Sequence, residues 1–294
     1  MGEKSGISWS PFTWSPWEGC QKVGPGCDHC YAESMNSWLR RGENWGPGAP
    51  RRTYSDTHWE KPRRWDAAAG RAHRRVQVFP SVCDPFDNAA PTAERTRFAQ
   101  LILDTPNLIW LLLTKRIGNA AAMLAEMFPN GTPENVWVGA TIVDRTEMLR
   151  DAPKLKALNV RLRFWSVEPM LGDLGEIPAN LLPDWVIAGG ESGRLARPMH
   201  PVWVQSLRDQ CARAGVPFMF KQWGMWAPRA HMTRRTGAVA TARWLPAGWQ
   251  YGRKYVGPVD GPSDDEPDLY RIGTREAGRL LDGKLHDEFP LELT

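Results

Sequence analysis

No stretch of this 294-residue chain approaches the roughly 18 consecutive apolar residues that a membrane-spanning helix requires. Residues Met1 to Trp14 lack the basic start and apolar middle of a secretory leader. Met1-Gly2 has Gly6 where a myristoylation signal wants Ser or Thr, which excludes that anchor. Cysteine is scarce and odd in number, five in all, and three of the five fall within eleven residues; a paired disulfide framework is excluded. Charge of one sign is also lacking, since the formal net charge is only +4. There is no Gly-x-Ser-x-Gly elbow, no phosphate loop and no His-Glu-x-x-His helix, which removes the commonest hydrolase and nucleotidase chemistries. These absences lead us to expect a soluble, cytoplasmic protein with no membrane partner.

Hydrophobic residues make up 42% of the chain, enough for a sizeable core. Short apolar runs recur at 76–79, 108–113, 136–141, 160–167, 185–188 and 217–220, with a first strand at or near 7–9. Helical patterns separate them at 93–103, 119–127, 145–156 and 201–214. The fold class is therefore α/β, a βαβ series. Six or seven such strands suit a partial (β/α) barrel better than a closed eight-fold one, with a doubly wound sheet as the alternative. Residues 1–226 form this domain; 227–294 read as a loop-rich C-terminal extension with a short helix over 274–281.

A basic, Trp-rich insertion spans about 40–75, where ten Arg or Lys stand against four Asp or Glu. With Trp45, Tyr54, Trp59 and Trp65 it suits a nucleotide or DNA partner, through phosphates and unstacked bases. A solvated loop with Trp side chains covering the core is the competing reading.

The densest chemistry lies at Cys20, Cys27 and Cys30, spaced C-x6-C-x2-C in a segment that carries Gly19, Gly24, Pro25 and Gly26. Thiolates on a flexible loop point to zinc or an iron–sulfur cluster. Zinc would take His29 as fourth ligand, making a zinc-stabilised nucleic-acid-binding module. A [4Fe–4S] cluster on three cysteines leaves one iron open to a small molecule. Cys83 follows a strand and reads either as a group at the same end of the barrel or as a packed thiol. Polar residues also cluster at expected strand ends, where barrels keep their chemistry: Ser81, Asp84, Lys115, Thr141, Ser166, Glu168, Glu191 and Lys221.

The segment Cys27-Asp-His29-Cys30-Tyr31 resembles the second half of the cysteine motif of radical S-adenosylmethionine (SAM) enzymes, with six residues in place of three in the first spacing. Trp14 to Cys20, Pro25 to Glu33, Leu113 to Arg116, Trp137 to Thr141, Ser166 to Pro169, Gly189 to Gly193 and Lys221 to Gly224 are similar to a phage and prophage three-Cys-motif family. The resemblance implies a partial barrel of the radical SAM type, a [4Fe–4S] cluster on the three cysteines, SAM and an electron donor. It implies that Ser81 to Asp84 meet the SAM amino group, and Lys115 or Arg163 its carboxylate. Thr141 or Glu168 would accept from the ribose, Gly189 and Gly190 approach the adenosine, and His29 and Tyr31 lie by the cluster. Cys83, Lys115, Glu168, Glu191 and Lys221 are the candidate catalytic groups, and nucleic-acid modification is the implied activity.

Overall fold

A computed structural model describes residues 2–3, 5–233, 236–257 and 266–290. The chain begins β1 (Gly2–Glu3) and β2 (Phe12–Thr13), then α1 (Tyr31–Arg40) and α2 (Asp56–Arg71). Strand and helix alternate from there: β3 (Val76–Phe79), α3 (Thr92–Leu103), β4 (Leu108–Thr114), α4 (Ile117–Met127), β5 (Val136–Thr141), α5 (Arg145–Lys156) and β6 (Leu162–Val167). The series ends with β7 (Trp185–Gly189), α6 (Pro201–Ala214) and β8 (Phe218–Gln222).

Strands β2 to β8 are parallel and lie in chain order, with β1 antiparallel on the outer edge. Strand order never reverses, so the doubly wound alternative falls: right-handed crossovers in one direction put every helix on one face and curl the sheet. The result is a seven-stranded parallel half-barrel. Successive side chains alternate between two cores, as strand geometry requires. Trp110, Leu112, Val138, Trp165, Val186 and Phe220 face the helices, whereas Ile109, Leu111, Trp137, Phe164, Ile187 and Met219 fill the hollow. Gly139 stands in the second series because a Cβ there would overlap the Phe164 ring.

Local chemistry sets the helix ends. Asp144 caps α5 by accepting from Glu147 N at 2.8 Å, and the Glu147 carboxylate reaches back to Val143 N at 3.2 Å. Pro201 opens α6 and Gly215, at φ 66°, closes it.

Three expectations need correction. The first strand of the parallel series is Phe12–Thr13, a few residues on from 7–9, which lie in a turn from which Trp9 enters the hollow. The loop-rich extension instead carries β9 (Trp226–Ala227), β10 (Gly237–Leu245), β11 (Gly248–Val256) and β12 (Leu269–Arg271), an antiparallel sheet ordered β11-β10-β12-β9. Its alternation is masked in the sequence because alanines and glycines occupy so many strand positions. The late helix α7 stops at Thr274–Ala277, where Gly278 takes φ 67°, and a small hairpin of β13 (Leu280–Leu281) and β14 (Lys284–Leu285) follows. Among the described residues no helix is long and apolar enough to cross a membrane.

Candidate functional site

The three cysteines sit on the chain between β2 and α1, above the C-terminal ends of β3, β4 and β5. Cys20 is fixed by neighbours on both sides: Gly19 N donates to Val82 O at 3.1 Å, and Gly46 N donates to Cys20 O at 2.9 Å. Cys27 closes a single 3-10 turn, Pro25–Cys27, and is buried. Cys30 is the N-cap residue of α1, so its thiol stands at the positive end of a ten-residue helix. Gly26 seats this loop on the barrel, since a Cβ there would lie 2.8 Å from Val143 Cγ1 and 3.3 Å from Lys115 Cε.

Cys20, Cys27 and Cys30 line one cavity of about 90 Å³ with Cys83, Asp84, Lys115, Arg116 and Thr141. The Thr141 hydroxyl is buried without a hydrogen-bond partner, an exception to the rule that buried polar groups pair. Burial, reinforced by Asp84, pushes the Cys20 thiol up to about 11, although Arg116 Nη1 donates to its sulfur at 3.2 Å. The Cys83 thiol is pushed well above its ordinary range, by burial first and by Asp84 and Cys20 after it. Among the described residues no three His, Cys, Asp or Glu side chains are grouped to hold one metal ion.

Asp84 lines the cavity, but both its oxygens are already engaged. Oδ1 accepts from Thr114 Oγ1 at 2.6 Å and Phe86 N at 3.0 Å; Oδ2 accepts from Lys115 N and Arg116 Nη1, each at 3.1 Å. Its role is to aim Arg116, whose Nη2 also donates to Gln21 O at 2.7 Å. In the sequence Arg116 has no assigned task; in the structure two of its nitrogens hold the start of the cysteine loop.

A second network holds the other end of that loop. Glu191, after β7, accepts from Arg197 N at 2.7 Å, Nε at 3.0 Å and Nη2 at 2.7 Å, and lies 2.9 Å from His29 Nδ1. Arg197 continues to Asp28 Oδ2 at 3.0 Å and Pro25 O at 2.9 Å. Burial raises the Glu191 pKa, but the Arg197 and His29 hydrogen bonds outweigh it and hold the carboxyl below its ordinary value. An ionised carboxylate only accepts, so Nδ1 carries the hydrogen of this bond. No local pattern in the sequence marks Arg197 or Asp28, because their partners lie 169 residues apart.

Tyr31 ties α1 to the loop after β3 by donating to Ser81 O at 2.5 Å. Glu168 and Lys221, from the ends of β6 and β8, pair at 2.5 Å and remain partly exposed. Ser166 is buried within β6. Two assignments fail. Arg163 lies at the opposite end of the barrel, because β6 begins at Leu162 and Arg163 is its second residue; it donates to Leu158 O at 2.8 Å and pairs with Asp184. The Gly189-Gly190 pair serves packing: a Cβ on Gly190 would overlap the Trp223 carbonyl, and one on Gly189 would lie 3.3 Å from Gln222 O. The space read as room for adenosine is filled by the chain leaving β8.

The basic segment is also largely spoken for. Trp59 and Trp65 are buried under α2, Arg51 is buried against Asp87 at 2.6 Å, Arg52 pairs with Glu18 at 2.8 Å and Arg63 with Asp104 at 2.7 Å. Its residues brace the cysteine loop from outside, with Arg52 N donating to Glu18 O at 2.9 Å.

Residues 4–290 match the profile of one family, described as a protein of unknown function. No curated protein and no solved structure matches the chain.

Proposed function

The chain belongs to this family of proteins of unknown function (DUF5131), and we propose that it is a radical SAM enzyme with a [4Fe–4S] cluster on Cys20, Cys27 and Cys30. The observation that carries the reading is the convergence of three thiols on one cavity at the C-terminal ends of the parallel strands, beside an unpartnered buried hydroxyl at Thr141. The donor set fits that group. Three thiols line one cavity, and thiolates are the ligands that hold iron–sulfur clusters. When bound, the cluster and SAM supply one-electron chemistry that starts hydrogen-atom abstraction from a substrate C–H bond.

The chain's own residues do the rest. Arg116 places positive charge beside Cys20 and offsets the anionic charge of ligating thiolates. Lys115 offers an ammonium to the SAM carboxylate, and Thr141 a hydroxyl to its polar groups. The Glu191–Arg197–Asp28 network fixes the loop that carries Cys27 and Cys30. Glu168 and Lys221 remain candidate substrate contacts at the rim. Thiol ligation agrees with a reducing compartment, hence the cytoplasm, and with an electron-donor partner. A nucleotide or DNA base is the proposed substrate class.

Anaerobic reconstitution with metal analysis and EPR tests this. We expect about four iron and four sulfide per chain, and a reduced-cluster signal perturbed by SAM. Cys20→Ser, Cys27→Ser and Cys30→Ser should each lose the cluster, whereas Cys83→Ser should keep it. Stoichiometric zinc with no cluster after reconstitution would overturn the reading.

A further inference from the structure

The sheet built by the C-terminal segment has two unlike faces. Val239, Val256 and Tyr270 turn toward the main core. The other face carries Trp226, Ala240, Ala242 and Leu269, which pack with Ala196 of the loop after β7. On the same face of β11 stand Tyr251, Arg253 and Tyr255, opposite Ala242, Ala240 and Ala238 of β10. The small partners leave the rings uncovered: Tyr251 is 57% and Tyr255 73% exposed. Arg253 Nη2 donates to Ala238 O at 3.1 Å, which holds its guanidinium over β10 on the residue paired with Tyr255.

This row adjoins the cysteine site. The Tyr251 ring lies 5.9 Å from Trp226, whose Nε1 donates to Ala196 O at 2.7 Å. Arg271 stands 6.0 Å over Trp226 and donates to Gly193 O at 3.2 Å and Arg194 O at 2.7 Å. The same loop runs from Glu191 to Arg197, the clamp on the cysteine loop. Arg194, Arg253 and Arg271 give this region its sign, while Arg197 is paired with Glu191 and Asp28.

We propose that Tyr251, Arg253 and Tyr255, with Arg194 and Arg271, form a binding platform for single-stranded nucleic acid, set to bring a base toward the cysteine cavity; only the delivery step rests on the radical SAM reading. Alternating aromatic and guanidinium groups stack bases and meet phosphates without reading sequence. Along a strand the two tyrosines are about 13 Å apart, a span for an extended, unstacked strand and not for a duplex, whose bases stack about every 3.4 Å. Of the four aromatics that the sequence offered for this task, Trp59 and Trp65 are buried and unavailable, and Trp45 and Tyr54 are half-buried.

Fluorescence anisotropy of the full chain with a labelled mixed-sequence DNA strand about 15 nucleotides long tests the proposal. We expect salt-sensitive binding, weakened about 10- to 100-fold or more by Tyr251→Ala with Tyr255→Ala and kept by the paired Phe variants, which retain the rings. The matching duplex should compete poorly. No binding by the parent, unchanged binding in the paired Ala variant, or equal binding of duplex each overturns the platform. Titrations on both metal-free and reconstituted protein, with iron content measured beside each, separate the two readings. Strand binding without a cluster sinks the enzyme and leaves the platform, and a cluster without strand binding does the reverse.

Discussion

Glu191 shows how far one carboxylate governs the cysteine loop. It is buried, it accepts three bonds from Arg197, and it orients His29. Its folded pKa lies below the ordinary 4.5, so its contribution to stability is complete above that value and is lost as pH falls through the lowered one. Glu191→Gln should cost about 1–3 kcal/mol at neutral pH and should flatten the acid limb of the stability curve. Urea unfolding at neutral pH and at about pH 4 measures both; a variant that tracks the parent at each pH would show that the network is not holding the loop. The strand-end acids and bases, Asp84, Lys115, Glu168, Glu191 and Lys221, were legible from the sequence as a group near the site. Their tasks were not: Asp84 and Glu191 each serve an arginine, and only coordinates reveal which.

At the level of elements, most of the parallel strands could be read in advance because they are apolar on both faces; β2, only Phe12–Thr13, is too short to stand out. A strand covered on both sides has no polar alternation to lose, so it stands out as a short continuous run. The β10–β11 hairpin escaped because its cross-strand partners are mostly small or polar: Ala238, Ala240, Thr241 and Ala242 opposite Tyr255, Arg253, Gly252 and Tyr251. Arg163 was misplaced because the apolar run at 160–167 puts it in mid-strand, whereas β6 begins at Leu162 and leaves Arg163 at the N-terminal end, away from the site. One close fit between elements is Gly139 of β5 under Phe164 of β6. Gly139→Ala should destabilise the half-barrel by about 1–3 kcal/mol or more through overpacking, and Phe164→Leu should recover part of that loss in the double variant. Thermal unfolding of the two single variants and the double would decide; additive losses would mean that the two positions do not compete for the same space.

The molecule as a whole closes its sheet with its own tail. Phe220 N donates to His286 O at 2.9 Å, Phe218 N to Glu288 Oε2 at 3.0 Å, and Trp185 Nε1 to Glu288 O at 3.0 Å. Phe289 enters the hollow, with its ring 5.4 Å from Trp185. Deleting 286–294 would leave the β8 edge unpaired, and an unpaired edge invites association. We expect the truncated chain to bind a hydrophobic dye and elute as larger species on size-exclusion chromatography; a monodisperse, dye-negative product would show that β8 needs no cover.

Composition, apolar runs and cysteine spacing by themselves determined that the chain is α/β, that its main sheet is a parallel series alternating with helices, and that its densest chemistry lies at Cys20, Cys27 and Cys30. These properties are local, written in patterns a few residues long. Tertiary structure alone decided that Arg116 and Arg197 hold the two ends of the cysteine loop, that Trp59 and Trp65 serve the core, and that Tyr251 and Tyr255 stand exposed on one face of β11. Each of these depends on a partner far away in the chain, and a sequence carries no distance between residues that only folding brings together.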